Sequence, residues 1–193
     1  DDFGRSAQSA SGEDLVLPLS EVSNPALVHD FAEDGMLVYL KDIRLDEHGR
    51  PIVLVLTSPG SESGPGNAPR TWTICRWTGR QWDIRPGFTS DSNYDMGSLY
   101  LESDEWRIIA PTEPGPQPYN PGGEVAMWVS RDEGASWQRQ ATLTRDSERN
   151  HTYVRRPVDA HPDFYGFWAD GHGRQPSQSH LYFCTREGHV FML

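Results

Sequence analysis

Apolar positions in this chain come in short runs of five to ten residues, separated by polar stretches rich in glycine, proline and serine. No segment carries the 3.6-residue apolar period of an amphipathic helix. The runs read as strands, and they fall into three sets of four. The first set is 36–45, 52–57, 71–77 and 81–85. The second is 97–102, 105–110, 124–130 and 137–143. The third is 153–158, 164–169, 180–185 and 189–193. Trp77 and Trp82, on either side of a Thr78-Gly79-Arg80 turn, predict a hairpin with an aromatic pair across it.

Within a set the first-to-second and third-to-fourth connections are short. The second-to-third loop and the link to the next set are long: 58–69, 86–96, 111–123 and 144–152. In an up-down-up-down sheet the short turns share one end and the long connections share the other. Irregular chain carried on rigid strands and gathered at one end is a usual place for a binding site. The expected fold is all-β, in four-stranded antiparallel sheets repeating every ~50 to 60 residues.

The stretch Ser130-Arg131-Asp132-Glu133-Gly134-Ala135-Ser136-Trp137 reads S-x-D-x-G-x-S-W. Asp132 can hold backbone amides in the turn, Gly134 can take positive φ, and Trp137 offers a large ring to bury. The stretch resembles the Asp-box, or BNR repeat, which joins the third and fourth strands of a β-propeller blade. The resemblance implies blades at 36–85, 97–143 and 153–193. It also implies that 1–19 ends a preceding blade, with 2–7 as the tail of another Asp-box and 15–19 as a final strand. Known propellers close with about four to eight blades. The chain therefore reads as the C-terminal part of a single partial propeller domain, about three blades plus one strand. Its open strand edges would be covered by the remaining blades or by a second copy.

Seven Trp, seven Tyr and seven Phe beside 18 Gly and 15 Pro fit short strands and ordered loops rather than disorder. A net charge of −11 argues against nucleic acid as a partner. No apolar run approaches the ~20 residues of a membrane helix, so no membrane partner is expected. Lys41 is the only lysine among 17 basic residues. Cys75 and Cys184 sit in strand-like runs and read as small buried hydrophobes. From Arg145 to Arg174 five arginines balance five acids beside His151, His161 and His172, a neutral segment in an acidic chain that could accept an anion.

The stretches 90–100, 115–124, and 153–158 with 167–171 resemble BNR-repeat proteins of polysaccharide-degrading bacteria, and the resemblance covers the chain from about Leu17 onward. That group is similar in fold to propeller lyases that cut ulvan and related uronic-acid polysaccharides, and more remotely to sialidases. The resemblance implies a polysaccharide lyase, secreted or periplasmic, acting by β-elimination on an anionic polysaccharide. Such chemistry needs a base, an acid for the leaving oxygen, and a cation to neutralise the carboxylate. His151 or His172 is the expected base, Tyr94 or Tyr153 the acid, and Arg155 or Arg156 the neutraliser. His29, Tyr119, Asn120 and Arg174 are expected to bind substrate. A sialidase-like hydrolase and a noncatalytic glycan-binding propeller are the alternatives. Arg155-Arg156-Pro157 is similar to the sialidase R-x-P segment but follows the Asp-box instead of preceding it. No cofactor is implied. A bound zinc or calcium would have to draw on residues such as His161, His172, Cys75 and Cys184, whose spacing matches no ligand signature.

Overall fold

The computed structural model describes residues 4–193. It contains three four-stranded antiparallel meanders. The first is β1 (Leu37–Leu45), β2 (Pro51–Ser58), β3 (Arg70–Trp77) and β4 (Trp82–Ser90). The second is β5 (Ser98–Leu101), β6 (Trp106–Glu113), β7 (Glu124–Ser130) and β8 (Gln138–Thr142). The third is β9 (Asn150–Arg155), β10 (Gly166–Gly171), β11 (Leu181–Cys184) and β12 (Val190–Met192). A single 3₁₀ turn, Pro65–Asn67, interrupts the β2–β3 loop.

The sheets pack face to face in chain order. Ile52, Leu54 and Leu56 project to one side of β2 with period two and meet Leu99, Ile108 and Ala110 of the second sheet. The other face of the second sheet presents Ile109, Val125 and Met127 to Val154, Trp168 and Cys184 of the third. The middle sheet is therefore covered on both sides. That is why β6 and β7 read as nearly continuous apolar runs rather than alternating ones. Phe88 stacks on Trp128 at 4.1 Å between centroids, and Trp137 meets its edge at 5.9 Å. Trp77 and Trp82 pair across their turn at 5.6 Å.

The 130–137 turn is held by side chains. Asp132 Oδ1 accepts from Ser136 N at 2.8 Å and from Ser130 Oγ at 2.7 Å, while Oδ2 accepts from Ser136 Oγ at 2.6 Å. These bonds pull the Asp132 carboxyl down to about 2. Gly134 has φ +85°, and a Cβ there would lie 3.1 Å from the Trp106 ring, so only glycine fits.

Three expectations shift. β9 begins at Asn150, not 153, because the 114–123 loop clamps it. The Asn150 side chain donates to the carbonyls of Gln117, Pro121 and Gly122, and His151 exchanges backbone bonds with Gly123. Pro157 then ends the pairing, and the β9–β10 connection is longer than expected. Residues 15–19 are not a strand; the preceding chain turns back on itself through a Gln8–Asp14 bridge. Asp2 and Phe3 of the second suggested motif lie outside the described residues.

The long connections 59–69, 91–97, 114–123 and 172–180 meet at one end of the stack. β1, β5 and β9 lie side by side as the first strand of each sheet. Asp42 Oδ2 on β1 accepts from Leu99 N at 2.8 Å, and Val154 N on β9 donates to Met96 O at 3.1 Å. Both β1 and β9 bulge, at Lys41 and at Tyr153–Val154 respectively. A bulge re-aims the side chain it carries.

Candidate functional site

A cleft of about 280 Å³ opens where the long connections meet, with Tyr94, Tyr119, Asn120 and Arg174 among its lining residues. Two aspartates tie the β4–β5 link to the proline-rich loop. Asp91 Oδ2 accepts from Tyr119 N at 2.9 Å, and Asp95 Oδ1 accepts from Gly122 N at 2.7 Å. The Ser63 hydroxyl donates to the Tyr119 carbonyl from the β2–β3 loop. Arg70, almost fully buried, holds that loop through the carbonyls of Glu62 and Gly64. Tyr119 itself sits at φ +61°, a conformation that the surrounding contacts must impose.

The β10–β11 loop closes the cleft. Gly173 packs against Asn120 so closely that a Cβ would lie 2.6 Å from the Asn120 side chain. Arg174 Nε donates to Asn120 Oδ1 at 2.6 Å, and Asn120 Nδ2 donates to the Gln117 and Pro118 carbonyls. Arg174 Nε is thus engaged, and the rest of its fork can meet an oxyanion. His172 stands beside it, its Nδ1 accepting from Arg174 N at 3.2 Å. Tyr94 is 56% exposed and meets the Tyr39 ring edge-on at 5.7 Å.

Behind Tyr94 lie residues that no sequence motif marks. Lys41 is 6% exposed; its Nζ donates to Asn93 O at 2.7 Å and lies 5.5 Å from the Tyr39 ring. Burial lowers its pKa to about 8, against the pull of Asp95, with Arg155 adding to the drop. Asp95 is wholly buried, and burial raises its carboxyl to about 8 despite bonds from Ser90, Gly122 and Ser92. The only lysine of the chain, set inside an apolar strand, was the available signal.

The remaining expected residues lie elsewhere. His151 is 3% exposed, part of β9 rather than of a loop. Trp168 Nε1 donates to its Nδ1 at 2.9 Å, so the ring proton belongs on Nε2, 2.9 Å from Ser147 Oγ. Ser147 Oγ in turn donates to Glu124 Oε2 at 2.9 Å. Burial lowers the His151 pKa, with Glu124 and Asp170 opposing. Both ring nitrogens are engaged, and protons are donated from histidine to serine to glutamate, the reverse of an activated nucleophile.

Tyr153 is 54% exposed at φ +57°, with the Arg155 guanidinium 5.8 Å from its ring. Arg156 points to the Tyr100 ring at 5.9 Å. His29 is apart from the cleft, paired with Asp34 at 2.6 Å beside the outer face of the first sheet. Cys75 and Cys184 are buried in different sheets. Among the described residues no three His, Cys, Asp or Glu side chains gather as a metal site.

No protein-family model matches the chain, and no curated protein matches it. Among solved structures the chain is similar to an ulvan lyase described as a new family of polysaccharide lyase, PL25. The TM-score is 0.65 at 16% identity, over 97% of this chain and 41% of that one. A PL25 ulvan lyase bound to -[GlcA(1-4)Rha3S]- gives a TM-score of 0.66 at the same identity and the same coverage. The chain thus spans about two-fifths of the length of these structures and shares their fold.

Proposed function

We propose that the three sheets are consecutive blades of a β-propeller, and that the chain belongs to a carbohydrate-active protein that cleaves a uronic-acid polysaccharide by β-elimination. The observation that carries the reading is the convergence of Tyr94, Tyr119, Asn120 and Arg174 in one cleft, on a fold shared with polysaccharide lyases. The turn at 130–137 fits the Asp-box role of fastening the third strand of a blade to the fourth. The outer faces of the first and third sheets expose Val38 and Leu40, and Phe164, Phe167 and Phe191. Further blades would cover both. Such a protein meets its polymer in a secreted or periplasmic setting.

In this reading Arg174, oriented by Asn120, holds the uronate, and its guanidinium neutralises the charge that develops on the carboxylate. His172, whose Nδ1 accepts from Arg174 N and whose ring proton in the neutral form therefore sits on Nε2, takes the proton beside the carboxylate at Nδ1 once that 3.2 Å bond opens. A carbon–carbon double bond forms, the bond to the departing sugar oxygen breaks, and the Tyr94 hydroxyl returns a proton to that oxygen. Tyr119 offers a ring for a sugar to stack on. His151 serves as a buried strut instead of a base, because it keeps no ring nitrogen free.

Calorimetric titration with acidic oligosaccharides tests the cleft. Arg174→Ala is expected to weaken binding by about tenfold or more, as loss of a charged hydrogen-bond donor does. Unchanged affinity would remove the cleft from the account. A noncatalytic glycan-binding role is the second reading, and it is favoured by the absence of His172 from the cleft lining. Under that reading binding persists and no product forms.

A further inference from the structure

The chain has 16 arginines and one lysine, and that lysine is buried. Lys41 sits at the β1 bulge, beside the 92–96 link. Its Nζ donates to Asn93 O at 2.7 Å and lies 3.9 Å from Met96 Sδ, so it meets the chain on both sides of Tyr94. An ammonium carries several donors, and these contacts supply one oxygen. A guanidinium would bring more donors still, in a wider fork. Nζ is in no ion pair among the described residues. Burial brings the amine down to about 8, with Asp95 opposing and Arg155 adding to the drop. A cation buried on these terms costs stability.

Asn93 makes a second concession. Its Nδ2 donates to Gly60 O at 2.9 Å and to the Tyr39 hydroxyl at 3.3 Å, which sets the orientation of the amide. Its Oδ1 is then buried without a donor. Buried polar groups short of partners are costly, and such exceptions gather where function outweighs stability. Tyr94 follows Asn93 directly. Asp95 closes the same turn, accepting from Ser92 N at 3.3 Å and from Gly122 N at 2.7 Å. The Tyr39 ring, 5.5 Å from Lys41 Nζ, meets the Tyr94 ring edge-on at 5.7 Å. No described residue bonds to the Tyr94 hydroxyl. The backbone and ring of Tyr94 are held, and its hydroxyl is left free to face the cleft.

We propose that Lys41 is a positioning residue for Tyr94: by holding the Asn93 carbonyl and backing the Tyr39 ring, it fixes where the phenol stands at the cleft. Lys41 is not among the residues that line the cleft, so it acts only through its neighbours. The inference rests on the reading of Tyr94 as the proton donor.

The test is Lys41→Met, which keeps an unbranched stem and removes the donor. At neutral pH this variant is expected to keep or raise the unfolding temperature, because a buried cation is exchanged for an apolar group. On a uronic-acid polysaccharide kcat is expected to fall by about 10- to 100-fold, the effect of a small misplacement of a reacting group, with KM unchanged. Placed in Tyr94→Phe, Lys41→Met should lower kcat no further, since the two residues act as one unit. A second reading needs no turnover. In protein labelled with fluorotyrosine, the fluorine NMR line that is lost in Tyr94→Phe should shift or broaden in Lys41→Met. If the wild type binds polymer without cleaving it, the acid role of Tyr94 falls, and this line alone decides whether Lys41 places the ring. The proposal is overturned if the line does not change, or if kcat is unchanged or falls as far in Tyr94→Phe as in the wild type. It is equally overturned if Lys41→Met loses stability or fails to fold, since that would make Lys41 a structural cation.

Discussion

Asp95→Asn is the substitution whose effect is most directly worked from the structure. Asp95 is wholly buried, and its carboxyl is raised from 3.8 to about 8. A raised folded value means that the native state holds this proton over a range where the unfolded chain has lost it. Stability from this group is full below the unfolded value and is lost as pH rises towards the folded one. At about 1.4 kcal/mol per pH unit, the loss between pH 5 and pH 8 is about 4 kcal/mol. Asparagine keeps one oxygen to accept from Gly122 N and turns a donor toward Ser90, giving up only the long 3.3 Å bond from Ser92 N. The variant should therefore lack this slope. Lys41 titrates in the same range and couples to Asp95, so the test is the difference between the proteins, not either curve alone. Urea unfolding at pH 5, 6, 7 and 8 supplies it. The midpoint difference should widen with pH in favour of Asp95→Asn, by roughly 1 to 2 M across the range for the urea slope of a domain this size. Parallel curves would refute the reasoning, as would a variant that is less stable at every pH.

Three further outcomes follow from particular contacts. Tyr94→Phe should cut turnover of a cleaved polysaccharide by about 100-fold or more with binding retained, since it removes only a proton donor; kcat and KM measured separately decide it. Gly134→Ala should cost about 1 to 3 kcal/mol in urea unfolding, because φ is +85° and the new methyl meets the Trp106 ring. Trp168→Phe takes away the donor to His151 Nδ1 and should cost about 1 to 3 kcal/mol, while raising the His151 pKa by freeing a nitrogen, read by NMR titration.

Local pattern placed the strands of the first two sheets, except that β4 runs on to Ser90, five residues past its expected end, by pairing with the start of β3. Their strands alternate or run apolar between clear turn signals, and the Trp77–Trp82 hairpin announced its own register. The gathering of Tyr94, Tyr119, Asn120 and Arg174 was also readable, since up-down-up-down topology sends the loops that bear them to one end. β9 was misplaced because its start is fixed from a distance, by carbonyls of the 114–123 loop around Asn150. That three-residue shift carried His151 from an expected mouth into the sheet interior. The bulges at Lys41 and Tyr153 left no mark in sequence, since a bulge depends on the register of the partner strand. His29 was grouped with the cleft only because its loop was long, whereas the chain there folds back over the first sheet.

The measurement that bears most directly on the account is product analysis after incubating the protein with a panel of uronic-acid polysaccharides. β-Elimination leaves a double bond in the new terminal uronate, seen as rising ultraviolet absorbance and as a product mass without added water. The account predicts both for wild type, and both formed about 100-fold more slowly or not at all by Tyr94→Phe. New reducing ends with water added would contradict it in favour of hydrolysis, and bound but uncut polymer would contradict it in favour of a binding module.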